Sequence, residues 1–261
     1  NHQQIPHHRR LAFLVQLDDI LGRQFRQCHF HQAHRPLYDF LNDKPDLSHQ
    51  AVPRIVPRYL RRFVAPNFGT IDCGRGCPYR CSFCTIINVQ GHGMRYRSVE
   101  VIVRAIRENH RRHGINYYFF TDDNFSRNRN WRQIFEELAG MREREGIPIT
   151  FMMQVDTLAY RIPDFIPMAA RAGCTQVFIG MESINPMNLK AAGKGQNHVE
   201  DYRTMVAAWR KARIATHAAY IIGFPHDTPE SVSGDVERLP LTYCADHWRN
   251  QTSGCASRRP K

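Results

Sequence analysis

No stretch of 18 consecutive apolar residues occurs in the 261-residue sequence, so nothing in it reads as a membrane span. It also lacks the charged, apolar and small-residue succession of a signal peptide, and it opens at Asn1 rather than Met, from which we expect a fragment. Lysine is scarce, at five of 36 basic residues. Eight cysteines are too few for a disulfide framework; with no secretory signal they imply a reducing compartment, the cytoplasm. Apolar content of 42% and aromatic content of 11% exclude collagen-like and disordered classes. A mean hydropathy of -0.51 fits a soluble globular chain with enough length for one large domain or two small ones.

The formal charge of +12 raises the question of nucleic acid. Basic residues are spread along the whole chain, however, and Arg111-Arg112 and Arg258-Arg259 are pairs rather than a long basic run. A compositional Arg bias is the simpler explanation, with RNA binding left open behind it.

Residues 1–68 show no repeat and no regular pattern. Leu11–Leu21 has a helical spacing, and Pro36, Pro45, Pro53 and Pro57 interrupt the chain beyond it. Cys28-His29-Phe30-His31-Gln32-Ala33-His34 invites a metal reading, but a structural site needs four converging ligands and no second half lies nearby. We read it as a solvated connector.

From residue 69 apolar strands alternate with amphipathic helices. Strands are expected at Gly69–Asp72, Ile115–Phe120, Ile149–Val155, Thr175–Ile179 and Thr216–Ile222. The first helix is capped by Ser98 and buries Val99, Ile102, Val103 and Ile106; the second buries Trp131, Ile134, Phe135 and Leu138. Pro163 and Gly173 bracket the third, Asn197 caps the fourth, and Thr228-Pro229-Glu230 opens the fifth. Such alternation specifies a parallel sheet covered by helices, with chemistry at the carboxyl ends of the strands. The polar residues Asp122, Asp123, Asn124, Gln154, Asp156 and Glu182 fall at that rim.

Cys77-Pro-Tyr-Arg-Cys81-Ser-Phe-Cys84 puts three soft thiolates on the loop after the first strand, a donor set for zinc or an iron–sulfur cluster. A closed zinc tetrahedron needs a fourth ligand, which Cys73 could supply, although the spacings are not the paired halves of a zinc ribbon. A cluster held by three Cys leaves one iron free for a small chelating molecule.

The spacing Cys77-x-x-x-Cys81-x-Phe-Cys84 resembles the signature of the radical S-adenosylmethionine (radical SAM) superfamily. The wider stretch from Gly74 to Gly91 resembles the members that carry a cobalamin-binding domain ahead of the barrel. The resemblance runs over about residues 36–230 and implies a partial (β/α)6 TIM-like barrel of which about five βα units are recognisable. It implies a [4Fe–4S] cluster on Cys77, Cys81 and Cys84, reduced by a flavodoxin or ferredoxin, that cleaves SAM to methionine and a 5′-deoxyadenosyl radical acting on an unknown substrate. By the same resemblance Asp122, Asp123 and Asn124 meet the SAM amino group, Gln154 and Asp156 its ribose, and Glu182 its ribose or carboxylate side. Phe83 faces adenine, as do Ile222 and Gly223 within Tyr220-Ile-Ile-Gly-Phe224.

The chain departs from the pattern at both ends. The Asp-x-His-x-x-Gly signature of a cobalamin domain is absent, and only Pro36-Leu-Tyr-Asp-Phe40 resembles the connector after it. Residues 1–68 are therefore expected to be a remnant of that domain and its connector, with cobalamin involved only through a separate or missing one. Residues 69–230 form the core. Gly234, Pro240 and the polar run from Ala245 to Lys261 suggest an irregular, truncated or frame-shifted end over 231–261.

Overall fold

Ser98 starts the first long helix: in the computed structural model, which describes residues 46–52, 67–86 and 90–243, its Oγ accepts the Val101 N–H at 3.4 Å. This helix, α1 (Val99–His113), buries Val99, Ile102, Val103 and Ile106, the stripe that a 3.6-residue period requires. The strands are β1 (Phe68–Ile71), β2 (Gly74–Arg75), β3 (Arg95–Tyr96), β4 (Tyr117–Phe120), β5 (Thr150–Val155), β6 (Cys174–Glu182) and β7 (Ala215–Tyr220). β2 and β3 form a short antiparallel pair; the other five make one parallel sheet in the order β1-β4-β5-β6-β7. The remaining helices are α2 (Trp131–Arg144), α3 (Phe165–Ala172), α4 (Pro186–Ala191), α5 (Tyr202–Lys211) and α6 (Pro229–Tyr243).

Alternating burial along β5 turns Phe151, Met153 and Val155 to the helix-covered side. There an aromatic cluster forms the centre of the core. Phe120 stacks on Phe151 at 4.4 Å, Phe135 meets Phe125 at 5.3 Å, and Phe165 stands edge-on to Trp209 at 6.2 Å. Such pairs contribute about 0.5–1.5 kcal/mol each beyond their buried area. In register, Ile71 lies beside Phe120, Phe120 beside Met153, Val155 beside Ile179 and Glu182 beside Tyr220. All five strands therefore end on one rim. No helix among the described residues is long and apolar enough to cross a membrane.

Several elements differ from the sequence expectations. Pro163 lies outside the third helix, which begins at Phe165 after Asp164 turns through a φ of 65°, although Gly173 ends it as expected. Asn197 caps nothing: its amide donates to the Gly180 and Met181 carbonyls at 3.0 and 2.9 Å, and α5 starts only at Tyr202 after a single 3-10 turn. Strand β6 runs three residues past Ile179, to Glu182, because β7 continues to pair with it. The α4 helix was not expected; Asn185 caps it by accepting the Met187 N–H at 2.9 Å, with Pro186 in its first turn.

The expectation of irregular chain after residue 230 is corrected over 231–243, where α6 continues through Gly234 and Pro240. Thr228 and Ser231 exchange side-chain-to-backbone bonds at 3.1 and 2.9 Å to start it. It is held by the Tyr220 hydroxyl donating to buried Asp235 at 2.6 Å and by Leu239 packing on the core. Leu11–Leu21, Cys28–His34, Pro36–Phe40 and the run from Ala245 to Lys261 lie outside the described residues.

Candidate functional site

The cysteine loop leaves and re-enters the fold through a narrow neck. Gly74 and Arg75 pair with Tyr96 and Arg95. Just inside, Arg97 is 3% exposed and binds both Asp72 oxygens, at 3.0 and 3.1 Å, and the Gln50 carbonyl at 2.6 Å. Gly76 must be glycine for two reasons: its φ is 95°, and a Cβ there would sit 2.6 Å from the Gly93 carbonyl oxygen. Beyond the neck the Cys77 N–H donates to Gly91 O at 3.4 Å. On the far side the Ser82 N–H donates to Ala192 O at 2.9 Å.

This loop overhangs the rim and encloses an open cleft of about 160 Å³. Cys77, Cys81 and Cys84 line it together with Phe83, Asp123, Asn124, Gln154, Asp156 and Glu182. The structure thus gathers nine of the residues singled out by sequence, drawn from the ends of β4, β5 and β6 and from the loop itself. Three others do not line the cleft. Asp122 is 1% exposed, and its Oδ2 accepts the Cys73 N–H at 2.8 Å; burial raises its carboxyl to about 7. Ile222 is 65% exposed, and the Gly223 N–H donates to Asp227 at 2.9 Å. Phe224 reaches back to the loop instead, 5.8 Å from the Phe83 ring.

Within the cleft most polar groups are already partnered. Burial alone would raise the Asp156 carboxyl, but Arg127, bound to it at 2.5 and 2.7 Å, outweighs that and holds it below the usual range. Asn124 donates to Asp156 at 2.9 Å. Gln154 donates to the Asp122 carbonyl at 3.1 Å. Glu182 has the uncommon φ of 65° and is paired at 2.5 Å with Lys194, whose ammonium also lies 5.6 Å from the Phe83 ring centre.

Lys194 escaped the sequence reading, as did Tyr79, Phe178 and Gln196, which line the same cleft. Gln196 donates to Cys81 Sγ at 3.8 Å. The one signal for Lys194 was its setting between two glycines in Gly193-Lys194-Gly195.

The donor set fits a cluster bound by three thiolates. Burial pushes the Cys77 thiol up, and the neighbouring Cys81 and Cys84 add to this, so a cation among the three would favour its thiolate. Cys73, offered by the sequence as a fourth ligand, is fully buried in the hydrophobic core and does not line the cleft. Among the described residues no three His, Cys, Asp or Glu side chains converge as a single-ion site requires. Cys73 is therefore not placed to complete a four-thiolate site with the other three.

The family described as the Radical SAM superfamily matches residues 71–239. The chain is 33% identical over 162 residues to a bacteriochlorophyllide d C-12(1)-methyltransferase of Chlorobaculum tepidum, covering 60% of this chain and 34% of that one. It is 29% identical over 239 residues to an uncharacterized methyltransferase of Pyrococcus horikoshii, covering 87% and 49%. The chain thus spans about a third to a half of these relatives. Among solved structures it resembles the radical S-adenosylmethionine methyltransferase TsrM of Kitasatospora setae, determined with cobalamin and a [4Fe–4S] cluster bound. That likeness has a TM-score of 0.62 at 25% identity, over 77% of this chain and 39% of that one.

Proposed function

Because the chain belongs to the radical SAM superfamily, whose members use a [4Fe–4S] cluster and SAM, we propose that Cys77, Cys81 and Cys84 hold the cluster and that SAM lies in the cleft beside it. The carrying observation is that all three thiols share one open cleft with polar groups suited to a zwitterionic nucleoside. The chemistry the cluster supplies when bound is one-electron cleavage of SAM to methionine and a 5′-deoxyadenosyl radical, with a flavodoxin- or ferredoxin-type protein as the electron source.

The chain's own residues bind and orient. Phe83 and Phe224 offer aromatic surface to adenine, and the backbone at Ile222 and Gly223 borders them. Gln154 and Glu182 present oxygens to ribose hydroxyls, and Asn124 presents its amide beside the cluster loop. Lys194 is the only lysine or arginine among the described residues lining the cleft, and it is the natural partner for the SAM carboxylate, which it would share with Glu182.

We assign the core to residues 69–243 and the preceding chain to a connector. Methyl transfer linked to cobalamin is the reaction class we infer. It is supported by the methyltransferase names of the Chlorobaculum and Pyrococcus relatives and by the cobalamin in the Kitasatospora structure. Free thiols and a reducible cluster suit the cytoplasm.

The test is anaerobic incubation of the iron-loaded chain with SAM and dithionite. Equal amounts of 5′-deoxyadenosine and methionine are expected, abolished by Cys81→Ala. SAM left intact by a fully loaded chain, or product formation indifferent to Cys81, overturns the proposal.

A further inference from the structure

Asp123 and Asp156 line the cleft where SAM contacts were expected, yet Asp123 is engaged directly with the segment that bears the three cysteines, and Asp156 is engaged with Arg127, whose guanidinium faces that loop. Asp123 Oδ2 accepts the Gly76 N–H at 2.7 Å, one residue ahead of Cys77. Asp156 accepts Arg127 Nε and Nη2 at 2.5 and 2.7 Å, Asn124 Nδ2 at 2.9 Å, the Ser126 hydroxyl at 3.2 Å and the Leu158 N–H at 2.8 Å. Four N–H donors fill its two oxygens, with the Ser126 hydroxyl shared between Asp156 and Asn124 Oδ1. The guanidinium of Arg127 in turn lies 5.7 Å from the ring centre of Tyr79, which stands between Cys77 and Cys81. A ribose hydroxyl or an ammonium seeking Asp156 would have to displace a bidentate arginine.

We propose that Asp123 and Asp156 are positioning residues for the cysteine loop rather than SAM ligands, a role that rests on the cluster assignment to Cys77, Cys81 and Cys84. Asp123 fixes the point at which Cys77 leaves the neck. Asp156, through Arg127 and the Tyr79 face, fixes the span from Cys77 to Cys81. The two roles make opposite demands at position 123. An asparagine keeps an oxygen that can accept the Gly76 N–H but has no charge to offer an ammonium; an alanine has neither.

The test uses the full chain, reconstituted anaerobically with iron and sulfide, as wild type, Asp123→Asn, Asp123→Ala and Arg127→Lys. Iron per chain is measured, together with the electron paramagnetic resonance spectrum of the reduced cluster before and after SAM is added. Asp123→Asn should match the wild type in iron and in its spectral response to SAM. Asp123→Ala should lose at least half its iron or show an altered spectrum before any SAM is present. Arg127→Lys should alter that spectrum too, because one ammonium cannot hold both Asp156 oxygens. If Asp123→Ala does not fold, the other two variants decide.

Normal iron in Asp123→Asn with no response to SAM is the signature of a SAM ligand and overturns the positioning role for Asp123. A wild-type spectrum in Arg127→Lys overturns it for Asp156, and wild-type iron and spectrum in Asp123→Ala overturn it for Asp123. A wild-type chain that takes up no iron refutes the cluster assignment itself.

Discussion

Replacing Lys194 with methionine removes a charge while keeping most of the side chain's apolar stem. In the native fold its ammonium lies 2.5 Å from Glu182 Oε1, and the two side chains are 9% and 10% exposed. Without Lys194, Glu182 is left as a buried anion at the base of the cleft. Breaking a buried pair in this way costs about 3–5 kcal/mol, whereas an exposed pair would cost about 0.2–1 kcal/mol. At about 2–4 °C per kcal/mol for a domain of this size, the melting midpoint of the metal-free chain should fall by roughly 6–20 °C. Adding Glu182→Gln removes the orphaned charge, and the double variant should recover most of that loss. The assay is thermal and urea unfolding followed by tryptophan fluorescence, with Trp209 reporting from the core. A Lys194→Met variant within about 1 kcal/mol of wild type would show that water reaches the pair. A double variant no more stable than the single one would show that packing, not charge, was lost.

Gly76→Ala should destabilise the chain by at least about 1–3 kcal/mol through its positive φ, with the clash against Gly93 added, and should reduce iron uptake; unchanged unfolding would contradict the tight neck. Gln196→Leu removes a donor to Cys81 Sγ and should lower the cluster's reduction potential by roughly 20–65 mV, the one-electron equivalent of one hydrogen bond. An unchanged potential in a redox titration refutes that contact. Burial raises the Asp122 carboxyl from 3.8 to about 7, so the folded chain retains a proton that the unfolded chain releases. The stability this group contributes is full below about pH 4 and is lost as pH rises toward 7. Asp122→Asn should flatten stability over that window, and an unaltered pH profile would show that Asp122 does not titrate there.

Elements defined by local pattern were legible in the sequence. The β5 strand was found within one residue because apolar residues fill it, α1 because Ser98 and a regular apolar stripe mark it, and the end of α3 because Gly173 follows it. Elements held by distant polar contacts were not. Asn197 has the residue type of a helix cap, but folding brings the Gly180 and Met181 carbonyls within its reach first. The α6 helix contains Gly234 and Pro240, which read as breakers, yet the Tyr220–Asp235 bond and the packing of Leu239 hold it. At the site, the cysteine spacing pointed to Cys77, strand-end position to Asn124 and Glu182, and the family resemblance to Phe83, and all four line one cleft. They could not reveal that Asp122 turns inward, or that Lys194 is buried against Glu182, because both depend on which loops meet over the rim.

The most direct measurement is the iron and acid-labile sulfide content of the anaerobically reconstituted chain beside Cys77→Ala, Cys81→Ala and Cys84→Ala. A cluster held in the cleft requires about four of each per wild-type chain and a marked fall in all three variants. Stoichiometric zinc without iron, or an iron content indifferent to the three substitutions, would contradict it.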